Sequence, residues 1–443
     1  MQQDVGAGEI AVERVSTGGT AGQGFSAGYR TYVLVLVTLV YVVNYLDRQI
    51  LGILNPQIQA EFHVTSFQIG LLNGPVFAAM YATLGIPIAV LADRVNRRNV
   101  IAASLAIFSV MTFVSAYAAQ FWQLMLARFG TGIGEAGTGP SINSVLADLY
   151  PPKQRASALA FYSAGLNIGL LLSFFGGAWI DAHYGWRMAF LVAGTPGLFL
   201  TILLLTTMRE PPRGHADKLV DDEKAPSTWS VAGYLWGQKS FRWMSFGTAM
   251  NSFGGYAGIA FFPKFLETTH HLTIQQVGLV LALLTGIGGA FGTYLAGVFA
   301  DYFGKRDVRW NMYVPIILIL LVTPIAPFAY LSPNTRVAIA ALVFPAAVGA
   351  AFVGPAYAMA QALVPLRMRA RSAAILLFIL NIIGLGLAAP VVGEISDLLA
   401  PVVGSDSIRY ALMTGILTSL IAAFCYWRAS KTLKVDIARV NEA

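Results

Sequence analysis

Residues 44–54 read Asn44-Tyr45-Leu46-Asp47-Arg48-Gln49-Ile50-Leu51-Gly52-Ile53-Leu54. They lie in an apolar run that begins near Tyr29 and carries no other charge beyond Arg30. A run of that length lets one helix cross a bilayer. A charge in hydrocarbon costs about 3 kcal/mol even on lenient scales. An adjacent acid and base at that depth therefore need a partner, a water-filled cavity or a task.

Composition supports the membrane reading. The chain has 443 residues, 56% hydrophobic and 12% charged, where soluble domains carry about 25% charged residues. Its mean hydropathy is +0.64. The net charge of +7 would suit nucleic acid if it were clustered. Instead the basic residues sit in short loops that alternate with apolar stretches, as cytoplasmic loops do under the positive-inside rule. The single cysteine, Cys425, excludes an intrachain disulfide and a cysteine-based metal cluster.

Apolar stretches of membrane length fall near 31–55, 66–91, 99–118, 121–147, 155–180, 186–207, 241–264, 274–300, 311–331, 335–363, 370–395 and 408–428. With the N-terminus inside, Arg187, Lys264, Arg336 and Arg409 fall outside. Arg48 and Arg128 fall within the membrane, and the rest of the 29 Lys and Arg fall on the cytoplasmic side. The expected organisation is a disordered tail over 1–28, a six-helix bundle over 29–207, a cytoplasmic linker over 208–240, a second six-helix bundle over 241–428 and a cytoplasmic tail over 429–443. Trp229, Tyr234 and Trp236 predict an interfacial helix in the linker.

The halves repeat. Asn44 and Pro56 recur with the same spacing as Asn251 and Pro263. Ala89-Val-Leu-Ala-Asp93-Arg94-Val-Asn96-Arg97-Arg98 recurs as Gly297-Val-Phe-Ala-Asp301-Tyr-Phe-Gly304-Lys305-Arg306, and Gly139-Pro140 as Gly354-Pro355. A duplication of six plus six spans in the same orientation is one pattern of secondary transporters, with the substrate held between the halves near mid-membrane.

These features resemble the major facilitator superfamily over nearly the whole chain. The Gly-x-x-x-Asp-x-x-Gly-Lys/Arg-Lys/Arg loop is kept well in its second copy and departs in the first, at Ala89 and Asn96. Pro151-Pro152-Lys153-Gln154-Arg155 and Tyr184-Gly185-Trp186-Arg187 are also similar to segments of that superfamily. Within it, Asn44, Tyr45, Asp47 and Arg48, with Arg128 and Glu135, most resemble the spinster group and a bacterial homologue in particular. The resemblance implies an all-α membrane protein of twelve transmembrane helices in two pseudo-symmetric halves. It also implies a proton-driven carrier of lysophospholipid- or sphingolipid-like amphiphiles, working by alternating access in the bacterial inner membrane. Organic-anion symporters of the superfamily share an acid–arginine pair in the first span, so a small organic anion is the alternative substrate.

The site is read from its charges. Asp47 and Arg128 come at similar depth on spans that run in opposite directions, so they can pair if the helices touch. Arg128 and Glu135 are two turns apart on one face. Low dielectric and a neighbouring arginine act on a carboxylate's proton affinity in opposite senses. An arginine that moves during transport would then load or unload a proton, which makes Asp47 and Glu135 the candidate proton carriers. Arg48 and Arg128 stay charged and, with Asn44, suit an anionic head group or a charge switch. The bland reading is a static ion-pair cluster fastening two spans.

The matching C-terminal positions are Gly254, Gly255, Val343 and Ala350. One wall of the cavity is thus expected to be charged and the other apolar, with Phe253, Tyr256, Phe352 and Tyr357 as candidates. Asp93, Arg94, Arg97, Asp301, Lys305 and Arg306 are expected to brace the cytoplasmic gate, or only to set topology.

Other signals are discounted. Gly132-Ile-Gly134-Glu135-Ala-Gly137 follows no strand, so it lacks the dinucleotide-binding context. His270 and His271 read as outer-loop residues, and Glu394 and Asp397 as solvated rim charges. No Walker loop, metal-ligand set or nucleophile arrangement points to an enzyme or a cofactor. The expected partners are a lipid amphiphile or organic anion, protons and membrane lipids, with no nucleic acid, and the chain is expected to act as a monomer.

Overall fold

The computed structural model describes residues 25–92, 94–212, 227–349 and 351–442. Residues 1–24 of the expected tail, Asp93 and residues 213–226 of the expected linker lie outside them. All elements among the described residues are helical. Eight continuous helical stretches are long and apolar enough to cross a bilayer. With the shorter and more polar ones, the helices order into twelve spans.

Span 1 is one helix, Ala27–Phe62, opened by Ser26, whose hydroxyl accepts from the Tyr29 amide at 3.2 Å. Span 2 is broken into Ser66–Asn73 and Pro75–Ala92, span 3 is Arg97–Ser115, and span 4 is broken into Phe121–Glu135 and Thr138–Leu149. Span 5 covers 152–184 and span 6 is Trp186–Thr207. Span 7 is Lys239–His270, and spans 8 to 11 cover 274–304, 310–331, 335–362 and 369–403. Span 12 covers 407–442, so the segment expected as a tail continues the last helix to Glu442.

Between the halves, the helix Thr228–Gly237 buries Val231 and Leu235 on the second half. Its Trp229 is 87% exposed.

The repeat is visible in details that the residue pattern left unread. Spans 1 and 7 both end on a left-handed histidine, His63 and His271. The next spans open with the same capping box, Thr65 with Gln68 and Thr273 with Gln276. Spans 4 and 10 both break two residues before the proline expected to match, Pro140 and Pro355. A proline has no N–H for the carbonyl one turn back, which favours a break there. Spans 5, 8 and 11 each contain a wide π-turn, at Leu172–Gly176, Ala282–Gly288 and Leu380–Leu385.

The buried core shows how the halves meet. At the end holding the chain termini, each half has its own core. One is built on Leu36, Phe108, Ile142 and Leu204, the other on Phe241, Met312, Leu376 and Tyr426. At the far end a single core runs through both halves, from Ile50, Leu54 and Phe174 to Phe261, Leu281 and Ala389. Among the described residues, the buried apolar core is thus common to both halves at the far end and separate for each half at the terminal end.

Two crossings related by the repeat make that junction. Span 2 meets span 11 at Gly70, where an added Cβ would stand 2.5 Å from the Ala389 carbonyl oxygen. Span 8 meets span 5 at Gly278, 2.5 Å from the Phe174 carbonyl oxygen by the same construction. Small residues let backbones approach this closely in a membrane, where van der Waals contact is the main attraction between helices.

Gly70→Ala should thus lower stability by about 1–3 kcal/mol through overpacking, read as a drop in Tm in detergent. Gly85→Ala, in the same span with open space around it, should leave Tm unchanged or slightly raised.

Candidate functional site

The four expected charges are buried together where the shared far-end core divides. Asp47 is 0% and Glu135 3% exposed, Arg48 and Arg128 9% and 7%. Span 1 carries Asp47 and Arg48, and the first piece of span 4 carries Arg128 and Glu135 just before its break.

The expected bond between Asp47 and Arg128 does not form. Arg128 instead donates to the backbone, from Nη2 to the Arg48 carbonyl at 2.7 Å and from Nη1 to the Asp47 carbonyl at 3.4 Å. Neighbouring helix residues point about 100° apart, so a guanidinium entering between them meets the main chain. Both carboxylate oxygens of Asp47 and both of Glu135 lack a hydrogen-bond partner among the described residues. Thr112 lies beside Asp47 and Asn44 beside Glu135, but neither makes a well-formed hydrogen bond to its carboxylate. Asp47 and Glu135 lie near each other, with Arg128 near both acids and Arg48 near Glu135.

Aromatic rings hold the arginines. The Arg48 guanidinium carbon lies 4.7 Å from the Phe77 ring centroid, 5.2 Å from Tyr81 and 5.9 Å from Tyr45. Arg128 lies 5.2 Å from the same Phe77 ring. A ring face attracts a cation, and more strongly when both are desolvated. Phe77 and Tyr81, both on span 2, were not singled out from the sequence. An aromatic pair one turn apart in an apolar helix reads as packing until the position of the arginines is known.

A cavity of about 20 Å3 lies beside this cluster, with room for about one water molecule. The N-terminal half lines it with Arg48, Gln49, Asn73, Phe77 and Arg128, the C-terminal half with Tyr256, Ile259, Ala260, Leu385 and Ala389. Tyr256 is the one polar side chain on the second wall. Of the other expected wall residues, Tyr357 stands near Tyr45, Tyr81 and Tyr256. Phe253 is packed in the shared core and Phe352 in the core of the C-terminal half. Neither of these two rings lines the cavity, because position in the duplicated sequence does not fix which way a ring turns about its helix.

The gate candidates divide. Arg97 is buried and binds Asp148, Glu210 at 2.7 Å, Ser144 at 2.8 Å and the Pro211 carbonyl at 2.7 Å. All four belong to its own half, where they tie spans 3 and 4 to the segment after span 6. Arg94, Lys305 and Arg306 are exposed, and Arg306 lies 5.8 Å from the Tyr302 ring. Asp93 and the side chain of Asp301 lie outside the described structure.

His270 is not a loop residue. It ends span 7, is buried, and faces Thr335 at 3.3 Å and the Phe265 ring. Asp397 is not a free rim charge either, since it accepts from the Ser66 and Phe67 amides of the other half at 3.0 and 2.7 Å.

In the loop after span 8, Asp307 was missed. It binds Arg309 at 2.8 Å and Lys434 of span 12 at 2.9 Å. These two donors hold its carboxyl well below the usual carboxylate range. A depressed folded pKa adds stability above the unfolded value, and that stability is lost as pH falls through the folded one. The Tm of Asp307→Asn should therefore lie below the parent at neutral pH and converge with it below about pH 4.

Arg128→Ala should cost about 3 kcal/mol, since it leaves buried acids with one cation fewer and two carbonyls without their donor. Arg128→Lys should cost less but not nothing, because an ammonium cannot reproduce the two-pronged contact. Thermal unfolding in detergent ranks the three proteins.

The Major Facilitator Superfamily model matches residues 37–389. A protein described as an MFS-type efflux pump, from Mycolicibacterium smegmatis, is 30% identical over 403 residues, covering 91% of this chain and 93% of the relative. The probable galactarate/D-glucarate transporter of Escherichia coli is 28% identical over 337 residues, covering 70% of this chain and 76% of the relative. Among solved structures, a bacterial homologue of the human lysosomal transporter Spinster, inward-facing and unoccupied, superposes with a TM-score of 0.84 at 30% identity. That match covers 93% of this chain and 99% of the other.

Proposed function

This chain belongs to the Major Facilitator Superfamily, a family of multi-pass membrane transporters, and from that membership we propose a proton-coupled carrier of anionic amphiphiles, lysophospholipid- or sphingolipid-like. Asp47 and Glu135 exchange the proton. Arg48, Arg128 and Asn44 receive the anionic head. Tyr256 and Tyr357 stand at the C-terminal wall along which the chain of the amphiphile lies. The protein works as a monomer in the bacterial inner membrane, with both termini cytoplasmic.

One observation carries this reading: two acids and two arginines are buried at the junction of the halves without a carboxylate–guanidinium hydrogen bond. A static fastener would close those bonds, since a buried pair repays its desolvation only with good geometry. With both acids ionised the four charges cancel. An anionic head that enters adds one negative charge in a low-dielectric place, and one proton on Asp47 or Glu135 restores neutrality. Proton and anion are then coupled by charge balance, with the arginines as the fixed charge.

The walls favour an amphiphile, because four of the five C-terminal lining residues are apolar. Separate cores at the terminal end would give such a molecule access from the side of the chain termini. A small organic anion is the second reading. It is favoured by the small cavity and by the likeness to a probable sugar-diacid transporter.

Proteoliposomes decide between them. Lysophospholipid movement should depend on an imposed pH gradient and be lost in Asp47→Asn/Glu135→Gln. Movement without gradient dependence would remove the proton from the mechanism. Absence of lipid movement, with gradient-driven uptake of a sugar diacid by the same preparation, would establish the second reading.

A further inference from the structure

The start of span 2 has a deficit that its own half does not fill. The first amides of a helix lack partners within it. Thr65 and Gln68 satisfy two of them reciprocally, at 2.9 and 3.2 Å. The Ser66 and Phe67 amides remain, and both are taken by Asp397 of span 11, in the other half. Lys264 of span 7, also from the other half, donates to the Ser66 hydroxyl at 2.8 Å and carries the charge that acts with Asp397. An anion at a helix N-terminus is favoured by the aligned peptide dipoles as well as by the two hydrogen bonds. Beside this contact, Gly393 leaves room for the Ser66 carbonyl.

The repeat supplies an internal control. Gly393-Glu394-Ile395-Ser396-Asp397 in span 11 corresponds to Gly177-Ala178-Trp179-Ile180-Asp181 in span 5. The neighbouring crossings, Gly70 on Ala389 and Gly278 on Phe174, are related in the same way. Yet Asp181 makes no hydrogen bond to the start of span 8 among the described residues. Gln57 stands where the repeat places Lys264, and it reaches Glu267 at 3.4 Å. One of two equivalent crossings therefore carries a charged clasp and the other does not.

We infer that Asp397, with Lys264, is the positioning residue that holds the far end shut and so sets the balance between the two ends of the transport cycle. This rests on alternating access and on neither the substrate nor the proton assignment. Opening the far end hands two main-chain amides and one ammonium from a carboxylate to water. Charge-assisted hydrogen bonds of this kind, partly replaced by water, shift a two-state balance on the order of tenfold.

The test reads conformation without substrate. Spin labels at Ala119→Cys and Ser405→Cys, exposed far-end positions on opposite halves, are placed in a Cys425→Ala background and measured by electron–electron double resonance in nanodiscs. The parent should be dominated by the short far-end distance. Asp397→Asn should raise the long-distance fraction about tenfold, Lys264→Gln should raise it less, and Asp181→Asn should leave it unchanged. An Asp397→Asn distribution identical to the parent would overturn the inference. So would an equal shift in Asp181→Asn, which would mean that any far-end carboxylate acts alike. If Asp397→Asn does not fold, Lys264→Gln and Asp397→Glu take its place, and both lying on the parent distribution overturns it. Loss of proton-driven transport with the clasp effect intact would count against the functional reading alone.

Discussion

The Arg128 guanidinium rests on the backbone of span 1 rather than on a carboxylate, and the rest of the site is arranged around that contact. A side chain that must stay charged at this depth needs acceptors, and the carbonyls of Asp47 and Arg48 provide them without neutralising an acid. Two acids then face two arginines while the acids keep their oxygens free of hydrogen bonds among the described residues. Phe77 lies against both arginines and offers each of them its ring. The cluster can persist only where protein surrounds it on all sides. It sits where the common core of the two halves ends and their separate cores begin.

Much of this was legible in the residues. Apolar length points to where the helices lie, because lipid selects helix of a fixed rise, but not to the breaks in spans 2 and 4 or to the last helix running on to Glu442. The duplication followed from Asn44, Pro56, Gly139-Pro140 and the two loops. Four charges in apolar segments marked the site, because lipid makes such residues costly. What stayed hidden depends on rotation about helix axes. Span 2 and its relatives are apolar on every side, so no periodic stripe says that Phe77 faces an arginine, that Phe253 turns into the shared core or that Phe352 turns into the core of its own half. The partner of Arg128 is a backbone atom, which has no identity in a sequence. Asp397 looked like a rim charge because its partners are amides, present at every residue and available only where a helix begins.

The two ends of the molecule are held by different means. At the terminal end each half is tied to itself, through Arg97 with Asp148 and Glu210 and through Asp307 with Arg309 and Lys434. Such bonds stiffen each bundle and are indifferent to the distance between bundles. At the far end ties also run from one half to the other, through apolar contact, close glycine crossings and hydrogen bonds that include Asp397 on two amides and Lys264 on Ser66. Under the proposed alternating access, a rocking of two stiff bodies would need this division. In such a motion the bonds within the halves would survive and the shared far-end bonds would break.

The wide turns in spans 5, 8 and 11 bear on how a duplicated chain can age. Each holds more residues per turn than the helix around it, so the face presented beyond the turn is out of phase with the face before it. The turns also differ in length, with five residues in span 5 and six in span 11. One copy of the repeat can therefore gain or lose a residue there without rotating its far-end crossing out of contact. Insertions in these helices would be absorbed where they occur, and the two halves could drift apart in sequence length while keeping a common shape.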